Sequence, residues 1–244
     1  MNVVYCAYRS WSLGILQALL RSQGGKPWKI KLVIAPHGME LGRLEGVETL
    51  SIDPQELRYQ EGRIHSIGPA VILAYGWSWS IPKEVLRIAP CWILHPSPLP
   101  KYRGGSPIQN QLLNGVTESA ITIFRAAEKL DAGNILAQES ISFEGDLQAI
   151  FDRMQRIGLA MTERLMDLSV KCPLSGTPQD ESTATVVKRR TPAMSEITLD
   201  EIQGQPARYL YNKIRGLQPP YPEAFIRCRD GEKLFITRTH LEET

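Results

Sequence analysis

The chain has 244 residues, of which 43% are hydrophobic and 22% charged, with a formal net charge of +2. That length and mix suit an ordinary globular protein with one large core, or one domain with a small extension. The near-balance of charge argues against nucleic-acid binding as the main activity, because phosphate contacts need clustered Lys and Arg.

The first elements alternate in type. Val3 to Ala7 is a short β-type run, and Ser10 caps a predicted helix that places Leu13, Leu16 and Leu20 on one face. Lys31 to Ala35 is a second strand, stopped at Pro36-His37-Gly38, and Val47 to Ile52 is a third. Residues 53–68 are polar and read as helix or loop. Ala70 to Tyr75 is nearly all apolar, as in a strand covered on both faces. It ends at Gly76, and Pro82 opens a short helix through Leu86 and Ile88. Cys91 to Leu94 is another buried strand. Strands alternating with helices predict a doubly wound, mostly parallel α/β sheet, whose sites form in loops beyond the carboxyl ends of the strands.

Farther along, Ile108 to Leu113 reads as a helix, and Ala120 to Phe124 and Asn134 to Ala137 read as strands. A long amphipathic helix runs from about Asp146 to Ser169, with Ile150, Met154, Ile157, Met161, Leu165 and Leu168 on one face. Residues 173–195 are rich in Pro, Ser and Thr and read as a linker. A helix over Leu199 to Leu217 follows, then two runs, Ala224 to Arg229 and Lys233 to Thr239, around the hairpin signal Asp230-Gly231. The expected organisation is a body over 1–172, a linker over 173–198 and a small helix-plus-hairpin extension over 199–244.

Cys6, Cys91, Cys172 and Cys228 show no CxxC-like spacing, which speaks against a zinc site. Cys6 and Cys91 lie in apolar runs and act as small hydrophobes. Free thiols suit a reducing compartment, and no leader-like segment or run of about 18 apolar residues is present, so the expected location is cytoplasmic with no membrane partner. The short basic run Lys188-Arg189-Arg190 reads as a solvated loop.

The densest stretch for chemistry is His95-Pro-Ser-Pro-Leu-Pro-Lys-Tyr-Arg-Gly-Gly-Ser-Pro107. Its prolines and glycines fix an irregular backbone directly after a buried strand. Read by itself it is either a rigid polar site or a surface turn. His95 is the natural acid, base or electrophile, since an ordinary imidazole titrates near pH 6.5. His37, His65 and His240 lack comparable surroundings and read as structural. Asp131 lies in a turn before Gly133 and serves chemistry only if the fold brings it beside His95.

That stretch, followed by Asn114-Gly115, Ala120-Ile-Thr-Ile-Phe124 and Asp131-Ala-Gly-Asn-Ile-Leu136, resembles the core of the folate-dependent formyltransferases. Ala74-Tyr-Gly-Trp-Ser-Trp-Ser-Ile-Pro-Lys-Glu-Val-Leu86 is similar to that family's donor-binding loop and next helix. The likeness spans roughly residues 70–141 and weakens toward the N-terminus. It implies a Rossmann-type domain with 10-formyltetrahydrofolate as co-substrate and no metal. It also implies attack by a substrate amine on the formyl carbon through a tetrahedral intermediate, with His95 stabilising the oxyanion. Asp131 would orient His95 or a water and help move the proton. Gly76, Trp77, Ser78, Trp79, Ser80, Leu99 and Asp131 would hold the donor. Ser97, Lys101, Tyr102, Arg103, Gly104 and Asn110 fall on the acceptor side.

One position departs from the resemblance. The family carries Asn two residues before the His, and here that residue is Ile93, which donates no hydrogen bond. Ser97 and Asn110 are the substitutes nearest in sequence. The segment Tyr211 to Phe225 resembles one in aminosugar formyltransferases and in the transfer-RNA enzyme, and the roughly 19 residues that follow suffice for a hairpin but not a barrel. The implied acceptor is therefore a small-molecule amine, first of all a nucleotide-linked aminosugar, without a nucleic-acid partner. Two alternatives remain: a binding or regulatory protein impaired by Ile93, and a methionyl-tRNA formyltransferase-like enzyme with a truncated C-terminal domain. A serine hydrolase built on Ser97, His95 and Asp131 is disfavoured, since Ser97 sits in no G-x-S-x-G elbow. A homodimer through the C-terminal segment is an option the sequence leaves open.

Overall fold

The computed structural model describes residues 1–242. A seven-stranded sheet runs in the order β3-β2-β1-β4-β5-β7-β8. Its parallel part comprises β1 (Asn2–Ala7), β2 (Lys29–Pro36), β3 (Glu48–Ile52), β4 (Pro69–Tyr75) and β5 (Cys91–His95). Two antiparallel strands, β7 (Glu118–Arg125) and β8 (Ile135–Ser142), extend it beyond β5.

Alternation along the strands fills two cores. Tyr5, Val33, Leu73, Tyr75 and Leu94 face α1 (Ser10–Ser22) and α5 (Leu147–Ser169), while Val4, Cys6, Ile34, Ile72 and Cys91 face the side of α2 (Glu61–Ile67) and α3 (Lys83–Leu86). Each fully buried Leu, Ile or Val stabilises by about 1.5–3 kcal/mol, so a sheet covered on both faces accounts for the continuous apolar runs. Buried hydroxyls are paired across the α1 side: Ser12 donates to the Tyr75 carbonyl at 2.7 Å, and the Tyr75 and Thr162 hydroxyls meet at 2.9 Å. Burial pushes the Tyr75 phenol well up from its ordinary range.

β1 lies inside the parallel sheet, with β2 on one side and β4 on the other. The chain therefore reverses its order of addition between β1 and β4. A crevice opens at such a switch point, outside the carboxyl ends of the strands. The residues that leave β1, β4 and β5 there are Tyr8-Arg9, Gly76 onward and Pro96 onward.

The segment expected as a linker is draped over this edge. Thr177 exchanges two 2.8 Å backbone hydrogen bonds with Ile135, and β9 (Val186–Val187) pairs with β6 (Arg103–Gly104). This explains Gly104-Gly105: a Cβ on Gly104 would sit 2.4 Å from the Val187 carbonyl oxygen, and one on Gly105 would sit 2.5 Å from the Arg189 Cα. The expected helix over 199–217 is two helices, α6 (Leu199–Gly204) and α7 (Ala207–Gly216). Pro206 separates them, because its ring cannot continue a helix and it has no N–H to give. Between β6 and β7, α4 (Pro107–Leu113) packs against α7. The C-terminal hairpin is formed, with β10 (Phe225–Arg227) against β11 (Lys233–Phe235), but its second strand ends earlier than the run to Thr239 suggested.

Candidate active site

A cavity of about 680 Å³ opens at the switch point. Its floor carries Ile93, His95 and Phe124, its walls are Gly76 to Ile81 and Gly104 to Gln109, and Asp131 closes one side. Ile93 and His95 are two residues apart on β5 and therefore share a face.

Asp131 reaches this floor by an indirect route. The Ala126 N–H donates to the Cys91 carbonyl at 2.7 Å, so β7 ends level with the start of β5, whereas His95 ends β5. The connection to β8 must therefore double back over the face of the sheet. It does so with Asp131 at φ 49, a left-handed conformation that costs a non-glycine residue about 1–2 kcal/mol. Gly133 permits the close return, since a Cβ there would lie 1.7 Å from the Arg125 carbonyl oxygen. Gly133→Ala is expected to destabilise the fold by about 1–3 kcal/mol and to displace Asp131. A urea unfolding midpoint equal to that of the parent would refute this.

The imidazole is held by a hydrogen bond at one nitrogen and faces a carboxylate with the other. Its Nε2 lies 2.9 Å from the Tyr102 carbonyl oxygen, which only accepts, so Nε2 carries the proton of that bond. Nδ1 faces Asp131 Oδ2 at 3.8 Å, and both side chains are about nine-tenths buried. The same Oδ2 accepts from the Gly104 N–H at 2.8 Å. A neutral His95 thus keeps its lone pair on Nδ1, toward the carboxylate. That arrangement can take up a proton on Nδ1 and hold the resulting imidazolium against Asp131.

Of the donor-side residues, Gly76, Trp77, Ser78, Trp79 and Ser80 line the cavity together with Asp131, and Trp77 stacks edge-on against Trp79 at 5.4 Å. Leu99 does not; it is 3% exposed and belongs to the interior. On the acceptor side only Gly104 reaches the cavity. Ser97 is fully buried and donates to the Lys101 carbonyl at 2.7 Å. The Lys101 side chain is exposed, away from the cavity. Tyr102 serves through its carbonyl, and its hydroxyl accepts from Asn114 at 3.2 Å. Arg103 points inward and donates to Gln179 and Glu181. Asn110 directs its amide N–H groups to the Gly105, Ser106 and Lys188 carbonyls. Neither Ser97 nor Asn110 therefore offers the cavity a donor in place of the one Ile93 lacks.

Sequence reasoning missed the arginines. Arg9, Arg189 and Arg190 all line the mouth, and among the described residues none of them forms an ion pair. Arg9 lies over the Tyr8 and Tyr221 rings, at 4.5 and 5.2 Å from their centroids. Arg189 donates to the Ser78 carbonyl at 2.9 Å, and Arg190 is half-buried, with desolvation holding its guanidinium below its ordinary range. The basic run is a loop with Lys188 and Arg189 exposed, as its composition suggests, but it also borders the cavity. Pairing of β9 with β6 carries it onto the site, and nothing in its composition signals that pairing.

A doubly wound sheet with an imidazole–carboxylate pair in a cleft at its switch point defines an α/β protein with a polar ligand site beyond the carboxyl ends of its strands. The family model described as formyl transferase matches residues 44–158. The chain is 32% identical over 217 residues to the methionyl-tRNA formyltransferase of Lysinibacillus sphaericus, covering 86% of this chain and 67% of that protein. The methionyl-tRNA formyltransferase from Clostridium thermocellum superposes with a TM-score of 0.77 at 26% identity, covering 99% of this chain and 94% of that one. A sugar N-formyltransferase from a Shewanella species shares the fold, with a TM-score of 0.78 at 18% identity over 100% of this chain and 99% of that one. The chain belongs to the formyltransferase family, which uses formyl-tetrahydrofolate.

Proposed function

We propose that this chain moves the formyl group of 10-formyltetrahydrofolate to the amine of a nucleotide-linked aminosugar. The observation that carries the reading is the placement of His95 and Asp131 between an aromatic loop and an arginine-lined mouth. The amine nitrogen attacks the formyl carbon, the new C–N bond forms, and the bond from that carbon to the folate nitrogen breaks. The amine loses a proton and the folate nitrogen gains one. His95 Nδ1 accepts the first, Asp131 stabilises the imidazolium, and the same proton is delivered to the departing nitrogen. Once Nδ1 has taken the amine's proton, Nδ1–H can also donate to the oxyanion of the tetrahedral intermediate before passing that proton to the departing nitrogen. Trp77, Trp79 and the backbone of residues 76–80 make the apolar and polar wall expected to hold a pterin.

The acceptor class follows from the mouth. Arg9, Arg189 and Arg190 outnumber the lining carboxylates Glu128 and Asp131, which favours an anionic ligand such as a diphosphate. Arg9→Ala is expected to raise the acceptor KM about tenfold or more with the donor KM unchanged; an unchanged acceptor KM would remove Arg9 from the site.

Ile93 supports a second reading, a donor-binding protein without useful turnover. One experiment separates these. The purified chain is incubated with the formyl donor and a panel of nucleotide-linked aminosugars, with methionyl-tRNA as a further acceptor, and tetrahydrofolate release is followed. Transfer to methionyl-tRNA alone would replace the acceptor. Folate binding by calorimetry without transfer to any acceptor would select the second reading, and no folate binding would exclude both.

A further inference from the structure

We propose that Gln179, a residue of the draped segment outside the cavity, is a positioning residue for Asp131. The proposal rests on the formyl-transfer reading only for its kinetic consequence. Asp131 adopts a backbone conformation that L-residues avoid, so its surroundings must hold it there. Gln179 does so from behind. Its Nε2 donates to the Asp131 carbonyl at 2.8 Å and to the Gly133 carbonyl at 2.7 Å, bracketing the turn. Its Oε1 accepts from Arg103 Nε at 3.0 Å and from Nη2 at 2.8 Å.

The orientation of that amide is forced. Turned over, it would set its NH2 against a guanidinium and its oxygen against two carbonyls. Arg103 is only 2% exposed, and its Nη2 also donates to Glu181 at 2.9 Å. The contacts close into a ring. The Asp131 carboxylate accepts from the Gly104 N–H, the neighbouring Arg103 side chain grips Gln179, and Gln179 returns to the Asp131 backbone. The oxygen held by Gly104 is the one that faces His95 Nδ1. A segment far from His95 in sequence thereby sets where the carboxylate stands.

Gln179→Leu and Gln179→Glu test this. Glu keeps an acceptor for Arg103, and a charged one, but has no N–H for the Asp131 and Gly133 carbonyls. Both variants are expected to lose about 100-fold in kcat, as displaced catalytic groups do, with the acceptor KM unchanged, and their crystal structures are expected to show Asp131 Oδ2 away from the Gly104 N–H. A glutamine that merely ties the segment down through Arg103 predicts a different outcome: Gln179→Glu would keep the parent kcat with Asp131 in place. That result would overturn the proposal, and the Glu variant alone suffices if the Leu variant does not fold. The position of Asp131 is read without substrate. Should the parent chain transfer no formyl group while Asp131 moves in both variants, the functional reading fails and the positioning role stands.

Discussion

Replacing His95 with alanine is expected to lower kcat for formyl transfer by about 100- to 10,000-fold, the usual contribution of a positioned acid–base group, while the chain stays folded. The fold survives because the loss is local. The Tyr102 carbonyl would lose its partner, at about 1–3 kcal/mol for a buried group left unsatisfied, against a typical domain stability of about 5–15 kcal/mol. Asp131→Asn isolates the charge. The amide keeps the shape and an oxygen for the Gly104 N–H, but it no longer stabilises a proton on Nδ1. Its kcat is expected to fall with KM unchanged, because the carboxylate matters when the imidazole is protonated. Tetrahydrofolate release and a thermal melt measured on the same samples check both variants. Parent-like kcat in either one would take the proton transfer away from this pair.

The elements that build the sheet were legible because their signals are local. The apolar run before Gly76 is β4, and the helical repeat from Ile150 to Leu165 is α5. His95 was legible as well, by its place at the end of a buried strand. What the sequence concealed was long-range. Asp131 meets His95 only because the turn after β7 doubles back, which depends on Gly133 and on Gln179. Arg103 looks like a ligand-binding residue beside His95, yet the draped segment supplies its partners and turns it inward. The basic run at 188–190 has the composition of a surface loop, and β9 pairing with β6 brings two of its arginines to the mouth. In each case the deciding partner lies dozens of residues away, beyond the reach of periodicity or turn chemistry.

Ile93→Asn is expected to raise kcat by about 100-fold or more, the inverse of what removing one oxyanion donor costs in comparable sites. The position is suitable. Ile93 lines the cavity on the same face of β5 as His95, and its register neighbours are Ala74 on β4 and Phe124 on β7. An amide placed there would look into the space that the reacting carbon must share with Nδ1. No side chain already described fills that role, since Ser97 and Asn110 direct their donors to backbone carbonyls. The exchange has a cost in stability. Ile93 packs with Trp77 and Ala126 against the second core, and an amide left without a partner there costs about 1–3 kcal/mol. A lower melting temperature with a higher kcat is therefore the expected pairing. A folded variant with unchanged or reduced kcat would mean that the parent site does not depend on a donor at this position. The gain should also vanish when Ile93→Asn is combined with His95→Ala, because groups that act on one transition state are strongly non-additive.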